Sequence, residues 1–171
     1  LNHFYQSYPP LPLFEPVNYL LKIGGKRMRP SLVLLAHQLF SSSTENARSA
    51  ALAIEVFHNF TLMHDDIMDN APLRRGKTTV HELYNTNTAI LSGDAMMIQA
   101  YQLLMKRPCK NQHALIELFN QKALEVCIGQ ELDMSFESRN DVSVKEYLEM
   151  IRLKTAVLVG CALQMGAIIA D

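Results

Sequence analysis

Apolar residues recur every three or four positions along most of this chain, the spacing of one face of a helix. The clearest run is Ala50, Ala53, Ile54, Phe57 and Phe60, continued on the same spacing by Thr61 and His64, and it predicts a helix over about residues 46–69. Leu32, Val33, Leu35, Ala36 and Leu39 form the apolar side of an earlier helix beginning at Pro30. Proline suits a first helical position because the N–H it lacks has no helical partner there. The pattern also predicts helices over residues 13–23, 89–105, 114–136 and 143–170, and a short one over 80–84. Polar or breaker-rich stretches separate them: Gly24 and Gly25, then residues 41–44, 71–79 with Pro72 and Gly76, 85–87 and 108–111. Residues 1–12, with Pro9, Pro10 and Pro12, read as an irregular lead-in. No stretch alternates with the period of a strand. The expected fold class is all-α, in a bundle-like packing.

Composition narrows the picture. The 171 residues include only seven glycines and seven prolines, so the body is poor in helix breakers. A net charge of −1 argues against a general nucleic-acid or membrane-surface protein. Cys109, Cys127 and Cys161 are odd in number and far apart, which fits reduced thiols in a cytoplasmic protein. The longest apolar stretch, residues 155–170, contains Gln164 and two glycines, and it reads as a buried core helix and not as a membrane span. No signal-peptide pattern is present. The chain opens on Leu1 and not on Met, so residues upstream are expected.

Charge is segregated locally. Asp65, Asp66 and Asp69 lie in the segment Asp65-Asp66-Ile67-Met68-Asp69. On a helix Asp65 and Asp69 share a face and repel, and negative charge near a helix C-terminus opposes the macrodipole. A divalent cation would offset both costs, and magnesium, which bridges carboxylates to phosphate oxygens, suits them. Taken alone the pattern fits a solvated acidic helix end equally well. The second feature is Gly24-Gly25-Lys26-Arg27-Met28-Arg29-Pro30, a tight turn with three cations before a helix start. The third is Arg74-Arg75-Gly76-Lys77, whose arginines suit bidentate phosphate contacts. Each basic cluster alone is an ordinary solvated loop. Two basic clusters flanking one carboxylate cluster match the needs of two diphosphates and a metal.

These residues resemble the trans-isoprenyl diphosphate synthase (polyprenyl synthetase) family. Asp65 to Asp69 match its first aspartate-rich motif, Gly24 to Pro30 its GGK-x-x-RP, and Leu73-Arg74-Arg75-Gly76 its LRRG. Phe57-His58, Leu62-Met63-His64, Gly129-Gln130-Glu131-Leu132-Asp133 and Lys154-Thr155 continue the resemblance in order. It implies condensation of isopentenyl diphosphate with an allylic diphosphate by magnesium-assisted ionisation to a short-chain product, geranylgeranyl or farnesyl diphosphate. Lys26, Arg29, His58 and Arg75 would bind isopentenyl diphosphate, and Arg74 the allylic diphosphate. Asp65, Asp66 and Asp69 would hold Mg2+. Gln130 and Asp133 would line the allylic side, and Lys154 and Thr155 would hold the leaving diphosphate. Asp65, Asp69, Arg74 and Lys154 would act catalytically. Phe60, with Thr61, would floor the product tunnel. The implied fold is an antiparallel helical bundle of the isoprenyl synthase type, and the implied assembly is a homodimer.

Each residue also has a plainer reading: His58 and Phe60 as core, Gln130 and Asp133 as interhelical bonds, Lys154 as a surface lysine. The family's second aspartate-rich motif does not occur in residues 1–171. The chain is therefore expected to be the N-terminal part of a single polyprenyl synthetase domain and inactive alone. A non-catalytic fragment or a regulatory-subunit-like member is the alternative. A terpene cyclase would not pair GGK-x-x-RP with RRG.

Overall fold

The computed structural model describes residues 11–171; residues 1–10 of the lead-in, with Pro9 and Pro10, lie outside the described residues. A 3-10 turn, Pro12–Phe14, runs into α1 (Glu15–Ile23), followed by α2 (Met28–Gln38) and α3 (Arg48–Met68). A hairpin of β1 (Leu73–Arg74) and β2 (Lys77–Thr78) leads to α4 (Val80–Leu83) and α5 (Thr86–Met105). Then come α6 (Gln112–Phe136), α7 (Val144–Ile151), a π-helical turn (Arg152–Ala156) and α8 (Val157–Ala170). The fold is all-α apart from the hairpin. Residues 71–79 had read as a loop because two-residue strands are too short to show alternation.

Local chemistry sets the helix ends. Gly24 stops α1 at φ 86°, a conformation open to a residue without Cβ. α2 starts at Met28, so Pro30 is its third residue, still within the turn whose N–H groups have no helical partner. Asn85 caps α5, its Oδ1 accepting from the Thr88 N–H at 2.8 Å. Ser143 and Glu146 form a capping box at the start of α7. The Ser143 N–H and hydroxyl, followed by Arg139, hold the Glu146 carboxyl down at about 2.

The chain divides into two compact units, one made of residues up to Arg27 with Leu52–Lys106, the other of Met28–Ala51 with Arg107–Asp171. In the first, α1 packs on α4 and α5, and Val17, Leu20, Met96 and Ala100 are buried. The Ser92 hydroxyl donates to the Leu13 carbonyl at 2.9 Å, and the Tyr19 hydroxyl to the Thr78 carbonyl at 2.7 Å.

In the second unit α8 lies against α2 and α6. Gly166 permits this, because a Cβ there would stand 2.8 Å from the Ala36 Cβ. The helical run Val144–Ala170 is long and apolar enough to cross a membrane by length and composition alone, but Val157, Leu158, Cys161, Ala162, Met165 and Ile169 are buried in it. Burial pushes the Cys161 thiol up to about 12. All three cysteines are free thiols. The expected continuous helix over 143–170 is interrupted by the π turn, which carries Lys154 and Thr155. Such bulges concentrate at functional sites.

Candidate active site

The acidic cluster sits where α3 ends. The Asn70 N–H bonds the Ile67 carbonyl at 3.2 Å and the Ala71 N–H the Asp66 carbonyl at 2.9 Å, the two bonds of a Schellman motif. Asn70 occupies its left-handed position at φ 48°. Asp65 and Asp66 therefore lie in the last turn, and Asp69 is the exposed residue at the cap. Local geometry alone would make this end electrostatically unfavourable.

The hairpin supplies the missing charge. Arg75 and Gly76, its two central residues, both have positive φ, 54° and 73°, the pattern of a type I′ turn. Leu73 pairs with Thr78 and Arg74 with Lys77. The Thr79 hydroxyl donates to the Ala71 carbonyl at 2.7 Å, closing the loop onto the end of α3. This returns Arg74 to the carboxylates: Nη2 lies 3.0 Å from Asp65 Oδ2 and Nε 2.7 Å from Asp66 Oδ1. Arg74 thus bridges Asp65 and Asp66. Asp66 is only 2% exposed, and burial pushes its carboxyl up more than the Arg74 hydrogen bond and charge draw it down.

Among the described residues no three His, Cys, Asp or Glu side chains are arranged to hold a metal. The donor set nevertheless suits magnesium, since carboxylate oxygens are its preferred protein ligands. Asp66 Oδ2 is buried with no hydrogen-bond partner, so the cluster retains capacity beyond what Arg74 takes.

The glycine-rich loop meets the same hairpin. A Cβ on Gly25 would lie 2.9 Å from the Arg75 guanidinium carbon, so the loop carrying Lys26 rests close against the end of the Arg75 side chain. Lys26 and Arg75 are both exposed. Arg27 is different: its guanidinium pairs with Glu55 and donates to the Leu21 carbonyl at 2.8 Å, while the Asn59 amide donates to Glu55 Oε1 at 3.1 Å. The sequence reading singled out neither Glu55 nor Asn59. The available signal was a carboxylate between Ile54 and Val56 in an apolar run, which demands a partner once buried. Arg29 belongs to α2, in the second unit.

On α3, His58 is half-buried. Phe60 is 9% exposed, and its ring lies 5.5 Å from that of Phe57 and 4.7 Å from that of His64. The Thr61 hydroxyl donates to the His58 carbonyl at 2.8 Å. His64 rests on Gly93, where a Cβ would lie 2.6 Å from the ring.

In the second unit Lys154 pairs with Asp133 across 21 residues. Gly129 brings α6 onto the π turn, since a Cβ there would be 2.6 Å from the Lys154 Cα. Thr155 is exposed, and Gln130 is half-buried with Nε2 lacking a hydrogen-bond partner.

The described residues thus form a helical fold with a carboxylate-ended helix, an arginine hairpin folded back on it and a lysine-bearing glycine turn. The chain belongs to the polyprenyl synthetase family, whose sequence profile matches residues 11–171. It is 43% identical over 171 residues to a geranylgeranyl pyrophosphate synthase of Geoglobus acetivorans, a match covering 99% of this chain and 54% of that protein. It is 41% identical over 160 residues to a short chain isoprenyl diphosphate synthase of Methanocaldococcus jannaschii, covering 93% of this chain and 49% of that protein. A crystal structure of a geranylgeranyl pyrophosphate synthase superposes with TM-score 0.94 at 54% identity, covering 99% of this chain and 52% of the other. The chain spans about half the length of the curated relatives it matches.

Proposed function

We propose that the protein carrying this chain is a trans-prenyltransferase that joins isopentenyl diphosphate to an allylic diphosphate. The observation that carries the reading is the Arg74 bridge to Asp65 and Asp66, beside a hairpin against which the Lys26 loop rests. Asp65, Asp66 and Asp69 would hold magnesium, which when bound neutralises diphosphate charge as the allylic C–O bond ionises. Arg74 binds the allylic diphosphate. Lys26, Arg29, His58 and Arg75 bind the diphosphate of isopentenyl diphosphate, whose double bond attacks the allylic cation before a proton is lost. Lys154 and Thr155 hold the departing diphosphate, and Gln130 and Asp133 line the allylic side. The acidic motif absent from this chain belongs, on this reading, to the rest of the protein. Retention of Asp65, Asp66, Arg74 and Lys154 favours catalysis over a regulatory role.

Leu91, Ile98 and Met105 form an exposed apolar stripe at seven-residue spacing on α5, which supports a homodimer, because such stripes are normally covered. Three free thiols fit a cytoplasmic setting. The test of the reading is incorporation of radiolabelled isopentenyl diphosphate into allylic product by the whole protein with magnesium and farnesyl diphosphate. No incorporation by a folded protein with any short allylic substrate would sink it.

Geranylgeranyl diphosphate is the product we favour, with Phe60 as the tunnel floor. Phe60 lies five residues before Asp65, between one and two helical turns below it. Phe60→Ala removes a ring that packs on Phe57 and His64, and products are expected to lengthen by several isoprene units on chromatography. An unchanged product spectrum from an active variant would place the floor elsewhere.

A further inference from the structure

Three cations crowd the glycine-rich loop, and the structure gives one of them a separate task. Arg27 sits in the left-handed region at φ 51°, where a residue with a Cβ is strained. A glycine there would be unstrained, so the position keeps arginine for its side chain. The guanidinium reaches Glu55 and the Leu21 carbonyl at the end of α1. Glu55 is 4% exposed and is steadied by the Asn59 amide at 3.1 Å; the same amide donates to the Glu55 carbonyl at 2.7 Å, and Asn59 is itself 2% exposed. At the other end of the loop, Gly25 is seated against the Arg75 guanidinium. Lys26 lies between Gly25 and the anchored Arg27, with its side chain exposed.

We infer that Glu55, with Asn59, is a positioning residue for the diphosphate-binding loop. It acts through Arg27 to hold the strained backbone that presents Lys26, and Arg27 is an anchor and not a ligand of the anion. This deepens, and rests on, the reading of that loop as a diphosphate site. The sign of the expected effect separates positioning from simple electrostatics. Removing the Glu55 charge makes the surroundings more positive, which by charge alone would tighten anion binding. Loss of the anchor has the opposite effect, because a loop that must be ordered on binding binds more weakly.

The experiment is calorimetric titration of inorganic pyrophosphate into the protein in EDTA, which leaves only the protein's own cations to hold the anion, with Lys26→Ala reporting the share of the loop. It is run well below the melting temperature of each variant. Glu55→Gln is expected to weaken pyrophosphate about tenfold, the equivalent of one charge-assisted hydrogen bond. Arg27→Lys keeps a charge beside Glu55 but cannot reach the Leu21 carbonyl at the same time, and it is expected to weaken binding several-fold. Glu55→Gln that binds as tightly as the unaltered protein, or more tightly, overturns the inference while leaving the site reading intact. Should Glu55→Gln not fold, unaltered affinity in Arg27→Lys overturns it instead. Failure of the unaltered protein to bind pyrophosphate, or undiminished binding by Lys26→Ala, overturns the site reading and the inference together.

Discussion

Replacing Arg74 by alanine is expected to lower kcat/KM for the allylic substrate about 10²–10³-fold, the usual loss when one preorganised charge donor is removed from a reaction centre. The effect follows from the two bonds Arg74 makes, 3.0 Å to Asp65 and 2.7 Å to Asp66. Without it, Asp66, which is 2% exposed, becomes a buried carboxylate with no cation, so stability falls as well. Arg74→Lys separates the two losses. It restores a positive charge near the carboxylates and much of the melting temperature. A single ammonium lacks the planar fork that engages both carboxylates, so catalysis is expected to recover only in part. Thermal unfolding and steady-state kinetics on both variants make the measurement. Undiminished kcat/KM in Arg74→Ala would remove Arg74 from the reaction.

The second large effect is on folding. Alanine for glycine inside a helix ordinarily gains up to about 1 kcal/mol, and Gly129 lies inside α6. At this position the sign is expected to reverse. The added Cβ would meet backbone, 2.6 Å from the Lys154 Cα and 2.7 Å from the Leu153 carbonyl carbon, and backbone cannot swing aside as a side chain can. Overpacking of this kind costs about 1–3 kcal/mol. The outcome is a melting temperature several degrees lower in Gly129→Ala, together with a loosened Lys154–Asp133 pair. Gly160→Ala is the internal control. It also lies within a helix, but its Cβ would meet only the Gln164 amide nitrogen at 3.9 Å, so it is expected to raise the melting temperature or leave it unchanged. Equal shifts in the two variants would show that the approach of α6 to the π turn is not tight.

The helices were legible in the sequence because the signal for a helix is local: apolar residues repeat within a few positions, and glycine, asparagine or a serine cap ends the run. That is why α3, α5 and α6 fall within a few residues of their expected bounds. The candidate site residues were singled out for a different reason. Carboxylates crowded at a helix end are unfavourable for folding alone, and their order with the two basic clusters, shared with the family, pointed to chemistry.

What each of those charges contacts was decided only by tertiary structure, because the contacts join residues separated in the chain. Arg27 and Arg29 are alike in sequence, yet Arg27 is taken up by Glu55, 28 residues away. Arg74 and Arg75 are neighbours, yet the type I′ turn sends one to the carboxylates and sets the other against Gly25. The π turn carries no local signature. Lys154 lies on an apolar helical run that periodicity reads as continuous. The turn is kept there alongside the Lys154–Asp133 pair and the close seat that Gly129 provides. Positive φ at Arg27 makes the same point: short-range preferences disfavour it, and the bonds of its guanidinium to Glu55 and the Leu21 carbonyl accompany it.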